Sequence, residues 1–200
     1  MKSALITLVA AIILGGAGFY AWKAFSPESP PSAPVVVEET RNTYATSTYS
    51  VKYPGNFILN APFAYGAFGP KKPIYGVKFI IPSTVATGTN LSADSGVSVE
   101  QLPRAKNCTG DIYLLASVTA YEVIENGTEY SFASSTGAAA GNLYEEQVYA
   151  LATSSPCTAV RYFIHSTNIG NYPAGMVREF DRAALLSTFD KIRQSLVSGM

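Results

Sequence analysis

The chain has 200 residues, enough for one domain of ordinary size behind a short anchor, and its 14 Lys+Arg balance 14 Asp+Glu. Charged residues make up only 14% and the basic ones are scattered, so there is no electrostatic footprint for nucleic acid and no nucleic-acid partner is expected. The 13 Tyr and 10 Phe, with many Ser and Thr, suit pleated, half-buried strands better than helices.

From Ala4 to Trp22 the chain reads ALITLVAAIILGGAGFYAW, without a charge. As a helix this stretch reaches about 28 Å, close to the hydrocarbon thickness of a bilayer, and residues 4–22 are predicted to be one transmembrane helix whose partner is the lipid bilayer. Lys2 and Lys23 flank it, and Tyr20 and Trp22 sit where an interfacial aromatic belt belongs. The charge bias favours a cytoplasmic N-terminus. A cleaved signal peptide is the rival reading, but no small-x-small cleavage site follows Gly18. The expected organisation is an uncleaved signal-anchor over 1–25, a Pro/Ser-rich linker over 26–42 and an extracytoplasmic domain over 43–200. Four prolines between Ser26 and Thr40 exclude helix in the linker and favour an extended spacer.

In STYSVKYP, Tyr49, Val51 and Tyr53 alternate with Ser50 and Lys52, which is a half-buried strand ended by Pro54. PIYGVKFIIP (Pro73 to Pro82) and GVSVEQLP (Gly96 to Pro103) read as two more strands. Between Asn107 and Ser117 the pattern is ambiguous and admits a short helix. Asn126-Gly127 is the pair that a two-residue type I′ hairpin requires, because both positions need positive φ. That turn sets Val123 opposite Tyr130 and Tyr121 opposite Phe132 on a core face, with Glu122, Ile124, Glu129 and Ser131 on the other. A small-residue turn around Gly137 to Gly141 leads to LYEEQVYALAT and CTAVRYFIHST, a second hairpin turned at Ser154-Ser155-Pro156. The chain closes on an amphipathic helix: Asp181 is its N-cap, and Leu185, Phe189, Ile192 and Leu196 form one stripe. Lys191 and Arg193 complement the dipole, and Gly199 ends the helix. The fold class that follows is α+β, a twisted antiparallel sheet of meanders and hairpins covered by a C-terminal α-helix.

Cys108 and Cys157 are the only cysteines, and on this topology both face an oxidising space, so one disulfide is expected. No CxxC pair and too few Cys or His residues argue against a redox or metal centre, and no cofactor is expected. His165, the single histidine, shares a strand face with Cys157 but lies about 26 Å away along the strand at about 3.3 Å per residue. It reads as an exposed, unpartnered imidazole. As a catalytic base it needs a nucleophile and an orienting carboxylate, and no G-x-S-x-G elbow supplies the first. Adjacent Glu145 and Glu146 point to opposite faces, which argues against a paired-carboxylate site. In NAPFAYGAFGPKKP, Phe63, Tyr65 and Phe68 with Lys71 and Lys72 form an aromatic and basic loop, a candidate contact surface for a protein partner in the envelope; its alternative is an ordinary loop with its rings tucked inward.

TYATSTYSVKYPGNF near the start of the domain and FDRAALLSTFDKIRQSL at its end resemble the signature of small bacterial extracytoplasmic PsbP-like domains, with Phe57 standing where that family often has Trp. The resemblance implies a twisted antiparallel sheet with packed helices and a non-enzymatic accessory or binding role, and it transfers no catalytic residue. The leading expectation is a single-pass cell-membrane protein, N-terminus cytoplasmic, whose periplasmic or cell-surface domain binds an unidentified ligand. Its alternatives are an envelope hydrolase using His165 with a Ser or Asp brought near by the fold, and a structural envelope component.

Overall fold

The computed structural model describes residues 40–199. The expected membrane helix over 4–22 and most of the linker lie outside them; among the described residues no helix is long and apolar enough to cross a membrane. Ten strands form two antiparallel sheets. The small sheet has the order β1 (Arg41–Ala45), β2 (Tyr49–Pro54), β10 (Val197–Ser198). The large one has β3 (Ile58–Tyr65), β4 (Ile74–Ile80), β5 (Gly96–Leu102), β9 (Cys157–Thr167), β8 (Asn142–Leu151), β7 (Thr128–Ala139) and β6 (Tyr121–Glu125). Two helices, α1 (Ser83–Ala86) and α2 (Arg182–Arg193), complete the described elements with two short 3-10 turns.

The expected antiparallel meanders and hairpins are observed, divided between two sheets. The chain makes one three-stranded run, β3 to β5, leaves the sheet at Leu102, and returns at the far edge to run β6 to β9 back against β5. The long crossover, residues 103–120, holds the ambiguous stretch as a single 3-10 turn, Gly110–Tyr113. The predicted hairpin register is observed: Val123 faces Tyr130 and Tyr121 faces Phe132, with Asn126 and Gly127 both at positive φ. Tyr130 and Phe132 are buried, but Tyr121 is 59% exposed because β6 is the outermost strand and one flank is open to solvent. The next turn is tighter than expected. Gly137 belongs to β7, and only Ala140 and Gly141 reverse the chain, both at positive φ.

One face of the large sheet carries the main core. Val77, Phe79, Val97, Val99, Val160, Tyr162 and Ile164 meet Tyr49, Val51 and Tyr53 of β2, and Leu185, Phe189 and Ile192 of α2. The alternation read in STYSVKYP and the helical stripe thus both point where they should. Asp181 caps α2 by accepting from the Ala184 amide at 2.9 Å. Gly199 does not end this helix; it stops at Arg193, with Gln194 as C-cap, and Val197–Ser198 pairs with β2 instead. Arg193 is more than a dipole partner. It is buried, donates to Tyr162 Oη at 2.8 Å, pairs with Glu125 and Asp190, and lies against the Tyr149 and Tyr130 rings.

The opposite face is half covered. The crossover lays Tyr113 and Leu114 on Ala133, Val148, Ala150 and Ala159, and its fit is close: a Cβ on Gly110 would stand 2.7 Å from the Ala133 nitrogen. The other half of this face stays open, and there β4 lies hard against β5. A Cβ on Gly76 would stand 2.0 Å from the Val99 carbonyl oxygen. Because backbone rather than a flexible side chain blocks the position, Gly76→Ala is expected to lower stability by about 2–3 kcal/mol. A denaturant midpoint unchanged from the parent would show that β4 can shift away.

Candidate functional site

Four polar side chains interrupt otherwise apolar central strands, and strand register brings them together. Lys78 on β4 faces Ser98 on β5, which faces Arg161 on β9; Glu100 follows two residues along β5 on the same face. Arg161 is 1% exposed and Glu100 fully buried. The guanidinium donates twice to Glu100, from Nε and Nη2 at 2.9 Å each, once to Glu146 at 3.0 Å and once to the Tyr113 carbonyl at 2.7 Å. Ser98 Oγ donates to Glu100 at 2.6 Å. Burial works against the Arg161 charge, but Glu100 outweighs it and holds the guanidinium protonated above its ordinary range. Its outward face lies 3.7 Å from the Tyr65 ring centre.

Above this floor is a cleft of about 230 Å³ lined by Phe63, Tyr65, Lys78, Asp94, Ser98, Arg161 and Phe163. Lys78 Nζ stands over two rings, 4.7 Å from the centre of Phe163 and 5.8 Å from that of Phe63, and donates to the Asp94 carbonyl at 2.7 Å. Burial pulls its ammonium below the ordinary lysine range, against the opposing attraction of Asp94 and Glu100. Tyr65 donates its hydroxyl to Glu146 at 2.8 Å, and burial pushes that phenol well up, so it stays a donor.

His165 borders the cleft and is neither exposed nor unpartnered, which corrects the expectation. The 92–95 turn is tied to its backbone: Ser92 N donates to the His165 carbonyl at 2.8 Å, and His165 N donates to Ser95 Oγ at 3.0 Å. That tie sets the Asp94 carboxylate 2.8 Å from Nδ1, while the ring stacks on Tyr144 at 4.6 Å. Nε2 is buried and has no hydrogen-bond partner. The nearby serine thus serves the histidine's backbone, not its imidazole.

The aromatic and basic stretch is also divided by the structure. Phe63 and Tyr65 belong to strand β3, not to a loop, and turn into the cleft. Pro62 sits within a register shift between Asn60 and Phe63 on this edge strand, where a missing N–H is tolerated. Phe68 meets Tyr65 edge-on at 6.2 Å. Lys71 and Lys72 remain exposed on the loop, and the cations that line the cleft are Lys78 and Arg161. The signal overlooked was a lone charge at the centre of each apolar strand: VKF, SVE and VRY. Such a charge is stable there only when compensated: Arg161 pairs with Glu100 and with Glu146 on β8, and Lys78 donates to the Asp94 carbonyl over the Phe163 ring.

Glu145 and Glu146 do point apart, Glu145 to Arg182 and Glu146 to Arg161. Cys108 and Cys157 form a disulfide with Cα atoms 5.2 Å apart, fastening the crossover to the start of β9. Among the described residues no group of three His, Cys, Asp or Glu side chains could hold a metal ion. Two larger cavities exist, about 720 Å³ along the crossover and about 470 Å³ beside α2. The first is walled by a single stretch, Leu102 to Ile112, and in the second Asp181 is committed to the helix cap.

No known family model matches the chain, and no curated protein matches it. Among solved structures it is similar to the solution structure of cyanobacterial PsbP (CyanoP) from Synechocystis sp. PCC 6803. The two are 16% identical, with 84% of this chain and 98% of that chain covered and a TM-score of 0.43.

Proposed function

We propose that this chain is a single-pass membrane protein, N-terminus cytoplasmic, that holds a disulfide-stapled, non-enzymatic binding domain in the periplasm or at the cell surface. The apolar, uncharged stretch over 4–22 and the proline-rich spacer support the tether, and the Cys108–Cys157 bond supports an oxidising compartment. The cleft between β3, β4 and β9 is the binding site of this reading, and Phe68, Lys71 and Lys72 stay a candidate contact surface for a protein partner.

The observation that carries binding over hydrolysis is the state of His165. Its Nδ1 has the orienting carboxylate a catalytic base needs, but Nε2 is shut off from solvent and meets no hydroxyl. A base that cannot reach a substrate proton does no acid–base chemistry.

Two measurements test this. In intact cells, a membrane-impermeant maleimide is expected to label Cys108 only after an impermeant phosphine reductant is added; labelling that requires lysis places the domain inside and sinks the topology. Against p-nitrophenyl acetate, the full-length protein and His165→Gln are expected to give the same background rate. Turnover that disappears in the variant would revive the hydrolase.

A further inference from the structure

The cleft above Arg161 has a composition that selects a ligand class. At its open side Lys78 and Asp94 face it with opposite signs, and Arg161 beneath is already engaged by two carboxylates, Glu100 and Glu146. A carboxylate ligand would gain Lys78 and oppose Asp94; an ammonium ligand would do the reverse. A hydroxyl suffers neither conflict, because it can donate to one group and accept from the other. Among the described residues Lys78 has one acceptor, the Asp94 carbonyl, which leaves two N–H bonds for a ligand. Asp94 spends Oδ1 on His165, and its side chain is 58% exposed.

The walls add a second requirement. The Phe63 ring has no aromatic neighbour among the described residues, and its contact with Lys78 at 5.8 Å is at the outer limit of such pairs, so its face can take another partner. That face carries negative quadrupole density and attracts polarised C–H bonds. Tyr144 and His165, by contrast, stack on each other and do not line the cleft. At about 230 Å³ the cleft is smaller than the ~300–1,000 Å³ of pockets for drug-sized ligands, and it suits one ring rather than two.

A ring that presents C–H bonds on one face and hydroxyls around its rim meets every one of these conditions. We propose that the cleft binds a neutral pyranose, one unit of an envelope or extracellular glycan. Lys78 donates to one ring hydroxyl, Asp94 accepts from another, and Phe63 stacks on the C–H face. This assignment rests on the extracytoplasmic binding reading and names its ligand.

The test uses the full-length chain in lipid nanodiscs, which avoids sugar-headed detergents, titrated calorimetrically with cellotetraose and chitotetraose. Saturable binding of at least one is expected, weakened about tenfold by Phe63→Ala, a loss of about 1.4 kcal/mol. Lys78→Met is expected to weaken it by a similar factor and Asp94→Asn by less, since the amide still accepts. Both Phe63 and Lys78 are partly exposed, so thermal midpoints close to the parent's should accompany these losses. Three results overturn the proposal: no heat with either oligosaccharide, binding untouched by Phe63→Ala and Lys78→Met, or binding of benzoate in preference to both sugars. The maleimide experiment separates the two levels. If impermeant labelling succeeds and sugar binding fails, the ligand assignment falls and the tethered binding domain stands.

Discussion

Replacing Arg161 with methionine is expected to destabilise the domain by about 3–5 kcal/mol, the usual cost of removing one partner from a buried ion pair. In a domain of this size each kcal/mol moves the midpoint by about 2–4 °C, so the melting temperature should fall by roughly 10 °C. The loss is large because Glu100 has nowhere to go. It lies fully buried on β5, and with the guanidinium gone it keeps only the Ser98 hydroxyl. Glu146 is left with the Tyr65 hydroxyl, and the Tyr113 carbonyl loses the guanidinium donor, so the crossover loses a polar tie to the sheet. The double variant Arg161→Met with Glu100→Leu separates charge from packing. Removing both members takes away the uncompensated carboxylate, and most of the lost stability should return, as apolar replacement of buried pairs often allows. Thermal unfolding of the full-length protein in nanodiscs measures both. A single variant that melts within 2–3 °C of the parent, roughly 1 kcal/mol, would mean that Glu100 is far better solvated than its burial implies.

Substituting Cys157 with alanine, or reducing the bond, should cost up to about 4 kcal/mol, the chain-entropy value for the loop that it closes. The 49-residue separation spans β6, β7 and β8, so the bridge restrains a long stretch of the unfolded chain. It also acts in the folded state. The crossover is the lid of the second core, and Cys157 is itself part of that core, with Tyr113 donating its hydroxyl to the Cys157 carbonyl at 2.8 Å. Loosening should therefore begin at residues 103–120 rather than across the sheet. Hydrogen exchange read residue by residue tests the location: protection is expected to drop first around Gly110 to Leu114, while β4, β5 and β9 keep theirs. Uniform loss of protection would show that the bridge stabilises only through the unfolded state.

Local features were legible in the amino-acid order to the extent that they depended on neighbours in the chain. The Asn126-Gly127 turn prescribed its register because a two-residue loop with two positive φ angles leaves one pairing. Tyr49, Val51 and Tyr53, and the Leu185, Phe189, Ile192 stripe, announced their buried faces by period alone. The disulfide followed from there being two cysteines and an expected oxidising side. What failed did so at long range. Gly199 looked like a helix end because nothing nearby says that Val197–Ser198 will pair with β2, about 150 residues earlier. His165 looked solitary because its partner, Asp94, sits 71 residues away in a turn whose own shape gives no sign of it.

By itself, the amino-acid order determined β2, β4, β5 and the strands β6 to β9, which way their side chains alternate, where the Asn126-Gly127 turn falls, that the closing segment is an amphipathic helix, and that two sulfurs are available to join. Those outcomes depend on φ preferences and hydrophobic period, which act over a few residues. The tertiary structure alone decided that the strands split into two sheets, that β9 lies between β5 and β8, and hence that Lys78, Ser98 and Arg161 share one cleft with Phe63. Which strands become neighbours depends on how two apolar faces are covered at once. That is a property of the whole packed chain, and no window along it contains the answer.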